Sequence, residues 1–411
     1  MKTAFIVIGD EILYGHTVDS NSAFLGEHLT DLGYDPVKKE VIGDDIEMVE
    51  SSISRLCKDH RLVIATGGLG PTHDDVTKKA VSRAFKRNLV LDDDVLQFLE
   101  MKYKQRGKEM PPSVQSQALI PQGSTALKND WGTAPGILIK QNGTIFVSLP
   151  GVPFEMKNLF IHRLKPLLPE VRGQKTITFK RLKTSGIAEA EIFDRIKELL
   201  NSKEEVKLAF LPSPFGVDLR MTVKDRTRDE ALSLMSDFEG RLRELIGDYI
   251  YGEGDTSMAE VVAELLKKKS KTLSTAESCT GGLLAKMLTD IPGSSAYLDR
   301  GVITYSNRAK TEVLEVPREM IEEYGAVSSE VATAMAEGIR KQSGTDYSLS
   351  ITGIAGPDGG TGEKPVGTTY IGIASDNGSS ARLFHFGNER DYNRHRAVIT
   401  ALNMLRAELR G

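Results

Sequence analysis

Ser278 and Cys279 stand side by side in the run Thr275-Ala276-Glu277-Ser278-Cys279-Thr280-Gly281-Gly282, and either side chain is a nucleophile by type. An apolar pair, Thr272-Leu273, enters this run, and Leu283, Leu284, Met287 and Leu288 leave it at helical spacing. The eight residues are therefore expected at a strand-to-helix turn. The first turn of a helix leaves about four backbone N–H groups without partners and carries roughly half a positive charge. Such an end holds a phosphate or an oxyanion, and the glycines let a ligand approach the backbone. The same pattern also fits a plainly capped helix start, with Ser278 or Thr280 as the N-cap. A free thiol titrates near about 8.5 and is partly thiolate at neutral pH, whereas a serine needs a base. Neighbours at a helix start point roughly 100° apart, so one of the pair faces the ligand.

Three further segments are expected beside this turn: Tyr305-Ser306-Asn307-Arg308-Ala309-Lys310, Thr352-Gly353-Ile354-Ala355-Gly356-Pro357 and Lys364-Pro365-Val366-Gly367-Thr368. The first two follow strand patterns, as the Ser278 turn does, so a parallel sheet puts all three on one edge. None contains a histidine. Tyr305 and Lys310 remain as proton shuttles, and the lysine serves if burial lowers its pKa from about 10.4 toward 7.

A second glycine turn lies in the first third. Thr66-Gly67-Gly68-Leu69-Gly70-Pro71-Thr72-His73-Asp74-Asp75-Val76-Thr77 follows an apolar run and opens a helix. Gly67, Gly68 and Gly70 give the tight turn and exposed amides of a phosphate cradle, although no Gly-Lys-Ser/Thr follows and dinucleotide spacing is absent. Asp74 and Asp75 either complement the helix dipole or hold a hard divalent cation that bridges phosphate oxygens. Gly9-Asp10-Glu11 and Asp19-Ser20-Asn21 come from loops after the first strand, on the same edge if the sheet is parallel. A polar loop, Asn129 to Gly136, holds the single tryptophan, Trp131.

The elements that must position these turns alternate. Strand patterns at Thr3–Ile8, Arg61–Thr66 and Ile145–Leu149, with helices at Asn21–Leu32 and Phe154–Phe160, predict a mostly parallel sheet covered on both faces. After about residue 172 the style changes. Strands at Thr176–Thr184, Lys207–Leu211 and Val217–Val223, with helices at Glu189–Leu200 and Arg228–Leu245, make a small α+β unit, and Gly252-Glu253-Gly254-Asp255 reads as a linker. Alternation then resumes, with helices at Ala259–Lys269, Gly281–Asp290, Ser329–Ser343 and Arg394–Leu409. Strands are expected at Val302–Tyr305, Tyr347–Thr352, Thr368–Ala374 and Ala381–Phe386. The expected fold is α/β: two three-layer α/β/α domains with mostly parallel sheets, 1–172 and 253–411, joined by a small α+β domain, 173–252.

Bulk properties narrow the function classes. A chain of 411 residues is too long for one ordinary core. A net charge of -4 and a pI near 6.1 give no global pull toward nucleic acid or anionic membrane. Apolar runs stay far below the roughly 18 residues that span a bilayer, and Asp10-Glu11 follows the first apolar run too soon for a signal peptide. Cys57 and Cys279 form neither a metal nor a disulfide spacing, which suits a reducing cytoplasm.

Gly9-Asp10-Glu11-Ile12-Leu13, Thr66 to Thr77, Gly132-Thr133-Ala134-Pro135-Gly136, Leu149-Pro150-Gly151-Val152-Pro153 and the last-domain segments together resemble the competence/damage-inducible protein A (CinA) family across essentially the whole chain. The resemblance implies a molybdopterin-binding-like first domain, a small inserted domain and a nicotinamide-nucleotide amidohydrolase at the end. It further implies deamidation of nicotinamide mononucleotide in the last domain, metal-dependent hydrolysis of ADP-ribose in the first, and a homodimer. Ser278 takes the place of the family's serine in the matching Ala-Glu-Ser-Cys-Thr-Gly-Gly motif. Tyr305, Lys310 and Thr352 are placed with it in the catalytic set. Cys279, Thr280, Gly281, Gly282, Gly353, Gly356 and Arg394 are expected around the substrate, with the amides of Thr280 to Gly282 as oxyanion donors. Arg396 joins Arg394 as a phosphate clamp. In the first domain Gly67, Gly68 and Gly70 are expected on the phosphates. Asp74, Asp75 and Asp19, backed by Asp10 and Glu155, are expected on a divalent ion (Mg, Mn or Co); the last domain needs no cofactor. A ligand-binding protein without catalysis, linked to competence or DNA damage, is the alternative.

Overall fold

The computed structural model describes residues 1–72, 75–169, 171, 176–201 and 205–411. It forms two compact units, Met1–Phe179 with Val223–Leu234 and Lys180–Thr222 with Met235–Gly411.

The first unit is built on β1 (Lys2–Ile8), β2 (Asp35–Ile42), β3 (Leu62–Thr66), β4 (Leu89–Leu91), β5 (Leu119–Pro121), β6 (Thr125–Leu127), β7 (Gly136–Gln141) and β8 (Thr144–Leu149). Six of them make one sheet in the order β2-β1-β3-β8-β7-β6, while β4 and β5 pair apart from it. The four strands from β2 to β8 are parallel, β7 runs back antiparallel to β8, and β6, antiparallel to β7, resumes the original sense. β7 and β8 are a hairpin across Asn142-Gly143, both at positive φ (50° and 77°), the turn that an Asn-Gly pair favours. β1 and β3 are apolar on both faces because helices cover both. One face packs Ile6, Val63 and Ala65 with Val49 and Ile53, and the other packs Phe5, Leu62 and Ile64 with Leu25, Leu29 and Phe160. The register sets Val7 beside Thr66 and Thr66 beside Leu149, so the turns after Ile8, Thr66 and Leu149 leave one edge together.

The small domain has β9 (Thr176–Thr184), β10 (Lys207–Ser213), β11 (Gly216–Arg226) and β12 (Ile250–Glu253) in the order β10-β11-β9-β12, with helices Glu189–Asn201 and Arg228–Ile246. β12 corrects the linker expected from Gly252: the segment pairs antiparallel with β9 through a register shift between Ile250 and Gly252. Two glycines hide a strand whose order comes from its partner rather than from local propensity.

The last domain has β13 (Leu273–Glu277), β14 (Leu298–Ile303), β15 (Tyr347–Gly353), β16 (Thr368–Ser375) and β17 (Gly378–His385) in the order β14-β13-β15-β16-β17. β14, β13 and β15 are parallel, while β16 and β17 are antiparallel. The sheet is thus less parallel than expected. The stretch 354–367 contains no helix to carry the chain back across a face, so β16 returns beside β15 in the opposite sense. One face packs Val262, Leu266 and Leu284 with Leu349, Ile351, Val398 and Leu402; the other packs Ala276 with Val331, Met335 and Ile339. The three layers expected from the alternation are present.

Candidate active site

β13 ends at Glu277, and Ser278 begins the turn that follows. The Ser278 amide donates to the Ile351 carbonyl of β15 at 2.9 Å, which fixes the start of the turn to the neighbouring strand. Helix Asn307–Leu314, capped by the Ser306 side chain, presents Lys310 one turn in. The Lys310 Nζ lies 3.1 Å from the Ser278 Oγ and also donates to the carbonyls of Thr304 at 2.9 Å and Tyr305 at 3.5 Å. Lys310 is only 1% exposed and Ser278 8%. Burial pushes the Lys310 ammonium below its usual pKa, opposed by the nearby Cys279 thiol. Among the described residues no carboxylate bonds it. A neutral amine here keeps donors for the two carbonyls and turns its lone pair to the serine hydroxyl, the arrangement of a general base and its nucleophile. Burial pushes the neighbouring Cys279 thiol up to about 11, so it stays protonated at neutral pH.

These side chains border a cavity of about 280 Å³ whose lining also includes Tyr305, Thr352, Gly353, Gly356 and Arg390. Thr352 is 1% exposed and donates its hydroxyl to the Ala326 carbonyl at 2.8 Å. Tyr305 is 62% exposed at the rim, where its hydroxyl accepts from Arg390 at 3.3 Å. Arg390 also donates to the Gly356 carbonyl at 2.7 Å.

The remaining expected residues stand behind the wall. Arg394 donates to the Thr280 carbonyl through Nε at 3.3 Å and Nη2 at 2.8 Å, so it grips the nucleophile turn. Arg396 lies over the Phe386 ring at 5.5 Å. Gly281 and Gly282 take positive φ, 61° and 91°, and their amides are engaged: Gly281 donates to the Ser278 carbonyl and Gly282 to the Glu277 carboxylate. Among the described residues the Thr280 amide has no acceptor, and the Cys279 amide serves only its own thiol, so the donors sit one residue earlier than the sequence suggested.

Sequence reading gave no role to Arg390, Asn393 or Glu277. Helix Arg390–Arg410 begins four residues before its expected start, because Tyr392 is the single apolar residue of its first turn and gives no apolar spacing. Asn393, 2% exposed, donates to the carbonyls of Ala355 and Gly387 and accepts from the Gly387 amide, which fixes the loop that carries Gly356.

In the first unit the glycine turn follows β3 as expected. A Cβ on Gly67 (φ 106°) would lie 2.0 Å from the Ile8 carbonyl oxygen, so only glycine fits there. Gly68 takes φ 63°, and Thr77 closes the turn with its hydroxyl on the Gly67 carbonyl and its amide on that of Gly68. Asp75 accepts the amides of Gly70 at 2.6 Å and Thr72 at 2.8 Å, together with the Thr72 hydroxyl. Asp74 lies outside the described residues. Asp19 caps helix Ser20–Asp31 through the Ser22 amide and pairs with Lys39 at 2.7 Å. Burial alone would raise the Asp19 carboxyl, but Lys39 and Ser22 outweigh it and hold it below its usual range. Glu155 accepts from Asn129 at 2.6 Å, and Trp131 stacks on His162. The Thr66 Oγ1 and Asn21 Oδ1 are buried without protein partners near this edge. Among the described residues no three His, Cys, Asp or Glu side chains gather closely enough to hold a metal ion.

Fold and site define a multidomain α/β protein with a buried serine–lysine pair in its last domain and a phosphate-type glycine turn in its first. Residues 255–409 match the CinA C-terminal domain, 4–170 a probable molybdopterin binding domain and 179–252 the damage-inducible protein CinA KH domain. A putative competence-damage inducible protein of Caldicellulosiruptor bescii is 42% identical over 409 residues, covering 100% of this chain and 99% of the relative. A CinA-like protein of Gemmatimonas aurantiaca is 42% identical over 410 residues, covering 99% and 96%. The crystal structure of competence/damage inducible protein CihA from Agrobacterium tumefaciens is 40% identical, covers 38% of this chain and 98% of that one, and has a TM-score of 0.36. The chain belongs to the CinA family. Among the described residues no helix is long and apolar enough to cross a membrane.

Proposed function

We propose that the last domain deamidates nicotinamide mononucleotide to nicotinate mononucleotide and ammonia. The observation that carries this reading is the 3.1 Å contact between the buried Lys310 amine and the Ser278 hydroxyl. Neutral Lys310 takes the Ser278 proton as Oγ bonds to the carboxamide carbon. The carbonyl electron pair moves to oxygen, where the Thr280 amide is the available donor, with that of Cys279 beside it. Collapse breaks the C–N bond, and the Lys310 ammonium returns the proton to the departing ammonia. Lys310 then deprotonates a water that hydrolyses the ester and restores Ser278. Among the described residues Arg390 is the one cation besides Lys310 that lines the cavity, and it suits the nucleotide phosphate. Ammonia release by chelator-treated protein, beside a Ser278→Ala control, tests the proposal. No release from folded wild-type protein would move the non-catalytic binding reading to the front.

For the first domain the supported reading is hydrolysis of the ADP-ribose pyrophosphate bond. The cramped Gly67 turn and the unpartnered Thr66 and Asn21 atoms offer donors and acceptors on one edge. The reading calls for a divalent ion that neutralises the phosphates. Asp75 and Asp19 do not fit one unaided, since both spend their oxygens on protein donors. Chelation that stops release of AMP and ribose 5-phosphate, but leaves ammonia release intact, is the expected result. Cytoplasmic residence and a homodimer belong to the same proposal, the latter tested by light scattering.

A further inference from the structure

Glu277 is 1% exposed, yet it lines no part of the cavity. Its carboxylate accepts the amides of Gly282 at 3.0 Å, Leu284 at 3.1 Å and Ala285 at 2.8 Å. The N-cap of helix Leu283–Thr289 is Gly282, which has no side chain to cap with. Glu277 reaches forward five residues to do so, and its two oxygens accept all three bonds.

We propose that Glu277 is a positioning residue for the Ser278 reaction; this rests on the serine–lysine reading of the same cavity. Residues 278–281 are the loop between the Glu277 backbone and the amides that its own side chain holds. The loop is fixed at its start by the Ser278 amide on Ile351 and at its end by the Glu277 carboxylate. Arg394 grips the Thr280 carbonyl between them. Gly281 and Gly282 take positive φ and have no side chains, and the buried Thr280 Oγ1 finds no hydrogen-bond partner among the described residues, so no side-chain hydrogen bond from the loop's second half steadies it. The carboxylate does so instead, and it sets the Ser278 oxygen against Lys310. It also occupies the helix-end amides, which would otherwise compete for the carboxamide oxygen or the phosphate.

Glu277→Gln keeps the size but supplies one oxygen and an NH2 group whose protons oppose an amide N–H. It is expected to lower kcat about 10- to 100-fold, because a displacement of roughly 1 Å at a reacting centre costs on that order. KM should stay within about twofold, since Glu277 touches no cavity wall. Labelling of Ser278 by a fluorophosphonate, which assumes nothing about the natural substrate, should slow to the same degree. A variant that melts cooperatively and matches wild type in kcat and labelling rate overturns the proposal. If the Gln variant does not fold, Glu277→Asp, one methylene too short to span the three amides, is judged by the same criterion. Wild-type protein that labels at Ser278 faster than the variant, yet releases no ammonia, would sink the substrate reading and leave the positioning role standing.

Discussion

The Ser278 turn and the Gly67 turn share a plan and differ in what faces their ligands. Each leaves a parallel strand, bends through two glycines at positive φ, and uses one carboxylate to hold its own amides: Glu277 in the first, Asp75 in the second. Each also has a buried lysine nearby. Lys310 points at a serine hydroxyl, whereas Lys78, 8% exposed and pushed down to about 8 by burial, donates to the Ser116 carbonyl at 2.6 Å. Burial alone does not make a base. A lysine becomes one when it touches a group with a proton to give, and a carbonyl has none. The last domain therefore carries a nucleophile with its base already in contact, while the first carries a tight glycine turn whose amides of Gly67, Gly70, Thr72 and Thr77 are already held by the protein.

That contrast breaks most sharply at the nucleophile. Ser278→Ala is expected to lower ammonia release by about 10⁴-fold or more, and Cys279→Ala to leave most of it. The reverse outcome would make the protonated thiol the working group. Lys310→Met should cost about 10²- to 10⁴-fold, the worth of a general base, while Lys78→Met leaves ammonia release unchanged. The pH profile follows from the direction of the Lys310 shift. Its pKa lies below the ordinary 10.5, so the neutral base grows as pH rises through that lowered value. Activity should climb on that limb and fall as pH drops below it; Lys310→Met should abolish the limb.

The glycines give the next largest effect and compare the two turns directly. Gly67→Ala forces a Cβ to 2.0 Å from the Ile8 oxygen at φ 106°. Strain and clash together should destabilise the first domain by about 2–4 kcal/mol and remove ADP-ribose hydrolysis, with ammonia release spared. Gly281→Ala has φ 61° but its nearest contact is Arg394 at 3.8 Å, so only the left-handed backbone cost of about 1–2 kcal/mol applies. Two-step melting of the Gly67→Ala protein, with one step shifted, would check this. Equal losses in both variants would show that the two turns are equally tight.

Local pattern made the glycine turns and most helices and strands legible, because strand-to-helix alternation follows apolar periodicity and glycine. β12 was hidden, since its order comes from β9 across the sheet. The antiparallel return of β16 was hidden too, as nothing in the residues 354–367 announces the sense of the next strand. At the site, residue types narrowed the nucleophile to Ser278 or Cys279 and the shuttle to Tyr305 or Lys310, and the family resemblance chose Ser278, but only the fold brings Ser278 and Lys310, 32 positions apart, to 3.1 Å. Glu277 was overlooked because a carboxylate at the end of a strand gives no sign in the sequence of which way it turns. Arg390 and Asn393 were missed because the first helical turn of Arg390–Arg410 lacks the spacing that marks a helix.

The smallest expected effect lies away from both turns. Asp346, just before β15, pairs with Lys271 at 2.6 Å and accepts from the Thr272 amide and hydroxyl, joining the starts of β13 and β15 at the edge opposite Ser278. Burial alone would raise its carboxyl, but Lys271 and Thr272 outweigh that and hold it at about 2, below the usual 3.8. A depressed carboxyl contributes stability that is present above its unfolded pKa and is lost as pH falls from about 4 toward about 2. Asp346→Asn should flatten the stability curve of the last domain in that window. At neutral pH it should cost about 1 kcal/mol or less, since the pair is partly exposed and screened. The kcat for ammonia release should not move. A drop in kcat would mean that strain at the far edge of the sheet reaches the Ser278 turn through β13, and the separation drawn between scaffold and site would fail.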